Sequence, residues 1–301
     1  MLETTIEALI EQGMSVASSP VFSANRIWAR HSNEKADVAR TLARVIRTLS
    51  QHAPLSRPLR ALSIGCGNEP QFRLLQATFE GGIWLYDLDQ GALDAVSERV
   101  GRQMIEGVET VQGDYAADFL NGEAAEAVLQ SKLGGRQFDL ITLHHSLYYS
   151  PPSQWRPIVE TLYRTMLAPT GAIHIALMSP AAHGEGSNNW LYNHFTEKYF
   201  GHVNDQGLGS LKAQLCDDTH LADAEILSKT SEVSFFVGDF AAYMAPVWMV
   251  LLYPSVHPFS VDQRRQITRY VLETLWLRNR PLTEVIDHLV IYRGLPSKGL
   301  I

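Results

Sequence analysis

Hydrophobic and polar positions change their period twice along this chain. In the first fifty residues apolar side chains recur at helical spacing, three and four apart. "TTIEALIEQG" reads as a helix that ends at Gly13. A second helix is predicted from Glu34 to Leu49, with Val38, Leu42, Val45 and Ile46 on one stripe and Ser32-Asn33 as its cap. From Leu59 the pattern shortens to apolar runs bounded by glycines and acids. "LRALSIG", "GIWLYDLD" (82–89), "ETVQGDYAAD" (109–118), "FDLITLHHSLYY" (138–149) and "GAIHIALM" (171–178) each hold one short strand. Helical segments are predicted between them at 69–80, 90–104, 121–132 and 153–167. Strands that alternate with helices build parallel βαβ units. Beyond residue 180, "SEVSFFVGDF" and "EVIDHLVIYRG" read as late strands around helices at 239–253 and 261–278, which can add an antiparallel edge.

The pattern predicts an α/β fold: a Rossmann-like, mostly parallel sheet with a late antiparallel strand. No linker splits the 301 residues, so one domain is expected, with a helical lid over 1–50, a cofactor-binding core over 59–180 and a pocket elaboration over 181–301. In open sheets of this kind, ligands sit at the carboxyl ends of the strands, beside the switch point.

Composition narrows the partners. The net charge is −7 and the basic residues are scattered, so a nucleic-acid partner is not expected. "FAAYMAPVWMVLLYP" (240–254) contains Pro246 and is shorter than the roughly 20 residues of a membrane span, so no membrane anchor is expected. The start of the chain has acids and no basic region, unlike a signal peptide. The two cysteines, Cys66 and Cys216, form no CxxC motif. A disulfide framework and a zinc site are therefore not expected, and a cytoplasmic setting is. His144, His145, His183, His194 and His202 lack the helical pairing of a zinc site.

The chemistry gathers at "ALSIGCGNEP" (61–70). Gly65 and Gly67 follow a strand and let backbone approach a ligand without Cβ clashes. The third glycine of a dinucleotide loop is absent, and Asn68-Glu69-Pro70 follow instead. A glutamate there opposes a pyrophosphate but suits a ligand that carries a sulfonium and an ammonium. That departure counts against a nicotinamide cofactor and towards S-adenosylmethionine. Asp87 ends the second strand 20 residues after Gly67, where a carboxylate can accept both ribose hydroxyls. Asp89 is a neighbouring candidate. Asp114, after the third strand, is either an adenine contact or a solvated turn residue.

These residues resemble class I S-adenosylmethionine-dependent methyltransferases, and more narrowly the histamine N-methyltransferase family. "WARHSNE" (28–34), "LSIGCGNE" (62–69), "LYY" (147–149), "GSNNW" (186–190) and "HLVIYR" (288–293) carry the resemblance in order. It implies Gly65 and Gly67 as the cofactor loop and Asp87 on the ribose; Asp89, Asp114 and His144 are further candidates on the cofactor side. It implies Glu34 on a substrate-binding glutamate and Tyr148 and Tyr149 as pocket walls around a small amine; Glu34, His145 and Tyr149 are the candidates for the chemistry, and Trp28, Tyr148 and Trp190 for contact with an amine or amino-acid-like substrate. His145 stands where the family has a substrate-contacting glutamine, a departure that counts against histamine itself.

An ammonium must lose a proton before it can accept a methyl group, and Glu34, His144 and His145 are candidates to take it. The two histidines end one strand, so their side chains should point oppositely, with His145 facing the pocket. Tyr243 and Trp248 read as core residues of their helix, and Trp28 as lid or core. Two other functions fit the same features: a cyclase or lyase that releases methylthioadenosine from S-adenosylmethionine, and a non-catalytic binding module.

Overall fold

The computed structural model describes residues 2–67, 69, 71–181, 184–252 and 258–295. Asn68, Pro70, His183 and the end of the apolar stretch at 253–254 lie outside the described residues.

Three helices open the chain: α1 (Leu2–Ser15), α2 (Val21–His31) and α3 (Glu34–His52). Then strands and helices alternate as β1 (Ala61–Ile64), α4 (Phe72–Gln76), β2 (Ile83–Asp87), α5 (Gln90–Arg102) and β3 (Val108–Gln112). There follow α6 (Tyr115–Asp118), α7 (Gly122–Lys132), β4 (Phe138–His144), α8 (Pro152–Thr161) and β5 (Leu167–Met178). The last third holds α9 (Asn188–Phe200), α10 (Leu208–Cys216), β6 (Ala224–Phe235), α11 (Phe240–Leu252), α12 (Val261–Thr274) and β7 (Leu282–Arg293). Among the described residues no helix is long and apolar enough to cross a membrane.

The chain divides into two compact units. A sheet unit comprises Val38–Leu177, Gly207–Lys229 and Asp287–Ile301; a helical unit comprises Met1–Asp37, Met178–Gln206 and Thr230–Ile286.

The sheet has seven strands in the order β3-β2-β1-β4-β5-β7-β6. β1 pairs in parallel with β2 and β4, β2 with β3, and β4 with β5. This is the Rossmann-like, mostly parallel sheet that the strand–helix alternation predicts. Order reverses between β1 and β4, which makes their carboxyl ends the switch point. β7 runs antiparallel to β5: His174 lies beside His288, whereas the later Ser179 N–H bonds the earlier Val285 carbonyl at 2.8 Å. The two late strands add one edge of the sheet, with the antiparallel β7 inside. β6 covers it, and the burial patterns agree, since β7 is buried almost throughout and β6 alternates. The stripe Val38, Leu42, Val45, Ile46 and Leu49 is buried as its spacing requires. Leu42, Val45, Ile46 and Leu49 share one core cluster with Ala61, Leu85, Leu140, Ala172 and Val290.

The helical unit departs from the sequence pattern in three places. α1 runs through Gly13 to Ser15. A Cβ on Gly13 would lie 2.7 Å from Thr268, 2.8 Å from Phe240 and 3.1 Å from Met244, so this glycine is a contact point and not a stop. The Trp248 indole N–H also donates to its carbonyl at 2.8 Å, and both Tyr243 and Trp248 are core residues as expected. α2 fills a stretch to which the periodicity assigns no element. The Asn33 side chain, expected as a cap, accepts instead from Ser234 N–H at 2.7 Å, which pins the start of α3 to the end of β6.

Candidate active site

Gly65, Cys66, Gly67 and Glu69 follow β1 and residues 145–150 follow β4, so the glycine loop and the histidine loop lie at the switch point of one unit. Gly65 and Gly67 both adopt positive φ, +63° and +49°, which an L side chain resists. A Cβ on Gly65 would stand 2.4 Å from Ser146 Cβ, so the two loops meet only because that position is glycine. Above Gly67 the same imagined Cβ would meet nothing within 4 Å; that space is open to a ligand.

Asp87 ties the loop down. One of its carboxylate oxygens accepts the Gly67 N–H at 2.7 Å and the other accepts the Asp89 N–H at 2.9 Å. Each oxygen has two lone pairs, so both can still accept a hydroxyl. Asp87 is half-buried. Asp89 and Asp114 are exposed helix caps: Asp89 accepts from Gly91 and Ala92, Asp114 from Ala116. The structure thus brings Gly65, Gly67, Asp87 and Asp89 together around one loop.

Glu69 behaves differently from its sequence reading. Its φ is +42° and its carboxylate is buried, accepting from the Ser63 hydroxyl and, at 3.0 Å, from the Gln71 N–H. Its charge faces strand β1 and not the ligand space. Burial raises its pKa, opposed by Ser63, by the Gln71 N–H and by Arg99. The following helix, α4, begins only at Phe72. Burial pushes the Cys66 thiol well up, with Glu69 and Asp87 adding to it, so this cysteine packs and does not ionise.

The loop after β4 holds the remaining residues of this unit. His145 has φ +52°, its N–H bonds the Ala176 carbonyl at 2.8 Å, and its Nδ1 lies 3.3 Å from the Tyr148 hydroxyl. Tyr148 is half-buried and Tyr149 is 61% exposed. The Ser146 hydroxyl is buried without a hydrogen-bond partner among the described residues. Its carbonyl accepts from the Tyr115 hydroxyl at 2.7 Å. Burial, first among its causes, pushes the Tyr115 pKa up to about 12, so the phenol stays a donor. A buried, unpartnered hydroxyl, a cradle with room for a ligand and a carboxylate with spare acceptor capacity fit a ligand that carries hydroxyls and a polar chain. Ser146 and Tyr115 are candidate site residues that the sequence does not announce; no motif marks either.

His145 lies beyond the end of β4 with a positive φ, so the alternation expected of two strand residues does not set its direction; the last strand residue is His144. Its Nε2 lies 3.0 Å from His174 Nδ1, and His174 Nε2 lies 3.2 Å from His288 Nδ1. Nothing local in the sequence links these residues.

Glu34, Trp28 and Trp190 belong to the helical unit. Trp28 is buried, stacks on Phe235 at 5.4 Å and donates its indole N–H to the Glu34 carboxylate. Trp190 stacks between His194 at 4.4 Å and Tyr270 at 5.5 Å. Elsewhere in the sheet unit, Glu160, Asp218 and His220 have metal-ligand atoms within 4.8 Å of one another. Cations already sit on the two acids: Arg156 lies 2.8 Å from Asp218 and Arg164 3.2 Å from Glu160.

No protein-family model matches the chain, and no curated protein does. Several solved structures are similar in chain path. One is a putative methyltransferase from Bacillus halodurans C-125, 14% identical, covering 82% of this chain and 96% of its own, with a TM-score of 0.49. Another is the plantazolicin methyltransferase BpumL in complex with a pentazolic desmethylPZN analog and SAH, 13% identical, covering 96% and 99%, with a TM-score of 0.49. A third is the [4+2]-cyclase SpnF, 14% identical, covering 84% and 82%, with a TM-score of 0.44.

Proposed function

We propose that the protein binds S-adenosylmethionine over the loop at Gly65–Gly67 and methylates a small amine or amino-acid-like acceptor. The observation that carries this reading is Asp87. It ends β2 with one oxygen on the Gly67 N–H of the loop, the other on the Asp89 N–H, and spare lone pairs for a ribose diol. Gly67 supplies the open backbone beneath the nucleoside, and Ser146 supplies the buried hydroxyl beside it. Asp114 stands after β3, where an adenine amino group can be met. Asp89 and His144 complete the cofactor side.

When bound, the cofactor supplies a methyl group on a sulfonium, an electrophile that needs only an aligned nucleophile. The protein's part is to hold the acceptor in line and take its proton. Tyr148 and Tyr149 offer aromatic faces to a cation. Glu34, Trp28 and Trp190 are proposed for the acceptor on the family resemblance alone. His145 in place of the family's glutamine favours an acceptor other than histamine.

The test is mass spectrometry of the nucleosides formed from S-adenosylmethionine, with and without a pool of amines and amino acids. Amine-dependent S-adenosylhomocysteine supports the reading, and the methylated mass gives the acceptor class. Methylthioadenosine formed without any acceptor overturns it in favour of a cyclase or lyase. Calorimetry on Asp87→Ala should show S-adenosylmethionine binding abolished, and unchanged affinity removes Asp87 from the site.

A further inference from the structure

The end of β2 carries a tyrosine whose hydroxyl is built into the neighbouring loop. Tyr86 is fully buried, one residue before Asp87. Its ring packs on Phe119, with the centroids 5.1 Å apart, inside one core cluster. Its hydroxyl donates to the Asp118 carboxylate. Burial first, then that hydrogen bond, raise the Tyr86 pKa, so the phenol keeps its proton. Gly113 lies against the hydroxyl: a Cβ there would stand 1.8 Å from Tyr86 Oη and 2.9 Å from Asp118 Oδ2. The hydroxyl occupies the place that a side chain at 113 would need.

Asp114 and Asp118 bracket α6, which is a single turn. Asp114 caps its start: one carboxylate oxygen accepts the Ala116 N–H at 3.0 Å, and the Asp114 carbonyl accepts the Asp118 N–H at 2.8 Å. So short a helix is not held by its own hydrogen bonds, and it takes its place from what its side chains touch. Tyr115 and Phe119 pack in the core, and Asp118 meets the Tyr86 hydroxyl and, at 3.6 Å, Lys132. The Gly113 N–H bonds the Asp87 carbonyl at 3.0 Å. The hydroxyl therefore joins the loop that carries Asp114 to the strand end that carries Asp87. Packing alone does not call for it. Phenylalanine would fill the place of the ring, whereas the hydroxyl adds a desolvation cost and requires glycine at 113.

We propose that Tyr86 is a positioning residue for adenine selection: through Asp118 it fixes Asp114 relative to Asp87, so that a ligand seated by its ribose on Asp87 meets Asp114 with its 6-amino group. This rests on the S-adenosylmethionine reading above, which puts the ribose at Asp87 and the adenine amino group at Asp114. Asp87 is half-buried and Asp114 exposed, and Asp114 has one carboxylate oxygen on its helix cap. A hydrogen bond weakens steeply as distance and angle depart from their optimum. Without the strut, α6 keeps its two core residues but loses the bond that sets its distance from β2. The ribose contact then survives and the amino-group contact weakens.

The test is calorimetry on the full chain with three ligands: S-adenosylhomocysteine, its analogue with hydrogen in place of the 6-amino group, and its 2′-deoxy analogue. The wild type should prefer the parent over the first analogue by about tenfold to a hundredfold, the size of one hydrogen bond to a charged group. Tyr86→Phe, which keeps the ring on Phe119, should lower that preference by about threefold to tenfold, a coupling of ordinary size. It should leave the preference over the 2′-deoxy analogue unchanged. A role in stability alone would weaken all three ligands alike and keep both preferences, and that result overturns the proposal. Asp118→Ala breaks the same hydrogen bond from its more exposed end and should lower the amino-group preference equally, so it decides the matter if Tyr86→Phe does not fold. Asp114→Ala should abolish that preference. If it does so while Asp118→Ala keeps it, the proposal is overturned and the cofactor reading stands. A wild type that binds none of the three ligands overturns the cofactor reading and the proposal with it.

Discussion

The contact between Gly65 and Ser146 gives a worked prediction. Gly65→Ala adds one methyl group at a backbone φ of +63°. The left-handed region costs an L residue about 1–2 kcal/mol. The new Cβ would also lie 2.4 Å from Ser146 Cβ, against about 3.5–4.0 Å for an ordinary carbon contact, so one loop must yield by more than an ångström. Ser146 yields poorly, because its carbonyl is held by the Tyr115 hydroxyl at 2.7 Å and the Tyr149 N–H at 3.1 Å. Overpacking of this kind costs about 1–3 kcal/mol. Together the loss is about 2–5 kcal/mol. The two parts separate in a double-mutant cycle. Ser146→Gly removes the opposing Cβ and restores the packing part, about 1–3 kcal/mol, while the backbone part remains. Urea unfolding of the wild type, both single variants and the double variant measures this. A loss below about 1 kcal/mol in Gly65→Ala, or no coupling with Ser146→Gly, would refute the reasoning.

Two further predictions concern buried charge. The Asp139 side chain is fully buried, bonds Arg57 at 2.6 and 2.8 Å and accepts the Arg60 N–H at 2.8 Å. Asp139→Asn should cost about 2–3 kcal/mol in urea unfolding, less than a fully buried pair because Arg57 is 40% exposed and can turn to water; a loss under about 1 kcal/mol contradicts it. Burial raises the Glu69 pKa, so the stability this group contributes is full below the ordinary glutamate value and is lost as pH rises through its folded value. Glu69→Gln, whose amide can serve the Ser63 hydroxyl and the Gln71 N–H together, should gain on the wild type as pH rises from 4.5 towards neutral. Thermal melts across that window that keep a constant difference between the two proteins would contradict it.

The glycine loop, the Asp87 carboxylate that closes on it and the five parallel strands are legible in the sequence because their signals are local. A strand needs only a short apolar run, and the 20-residue spacing from Gly67 to Asp87 is one βαβ step. Helix α3 shows its core face by period alone. What the sequence leaves open is decided by partners distant along the chain. Gly13 reads as a stop, yet it lies inside a helix because Phe240, Met244 and Thr268 press on it. Glu69 reads as a charge beside the ligand, yet Ser63 draws it into the strand. The two late strands read as an added edge, but only the folded sheet puts β6 outside β7. His144 meets His174 across 30 residues, and His174 meets His288 across 114. Periodicity reports which side of an element is buried and says nothing of what lies against it. Strand order and the partners of buried polar groups follow from the free energy of the whole packed sheet, and so only the tertiary structure settles them.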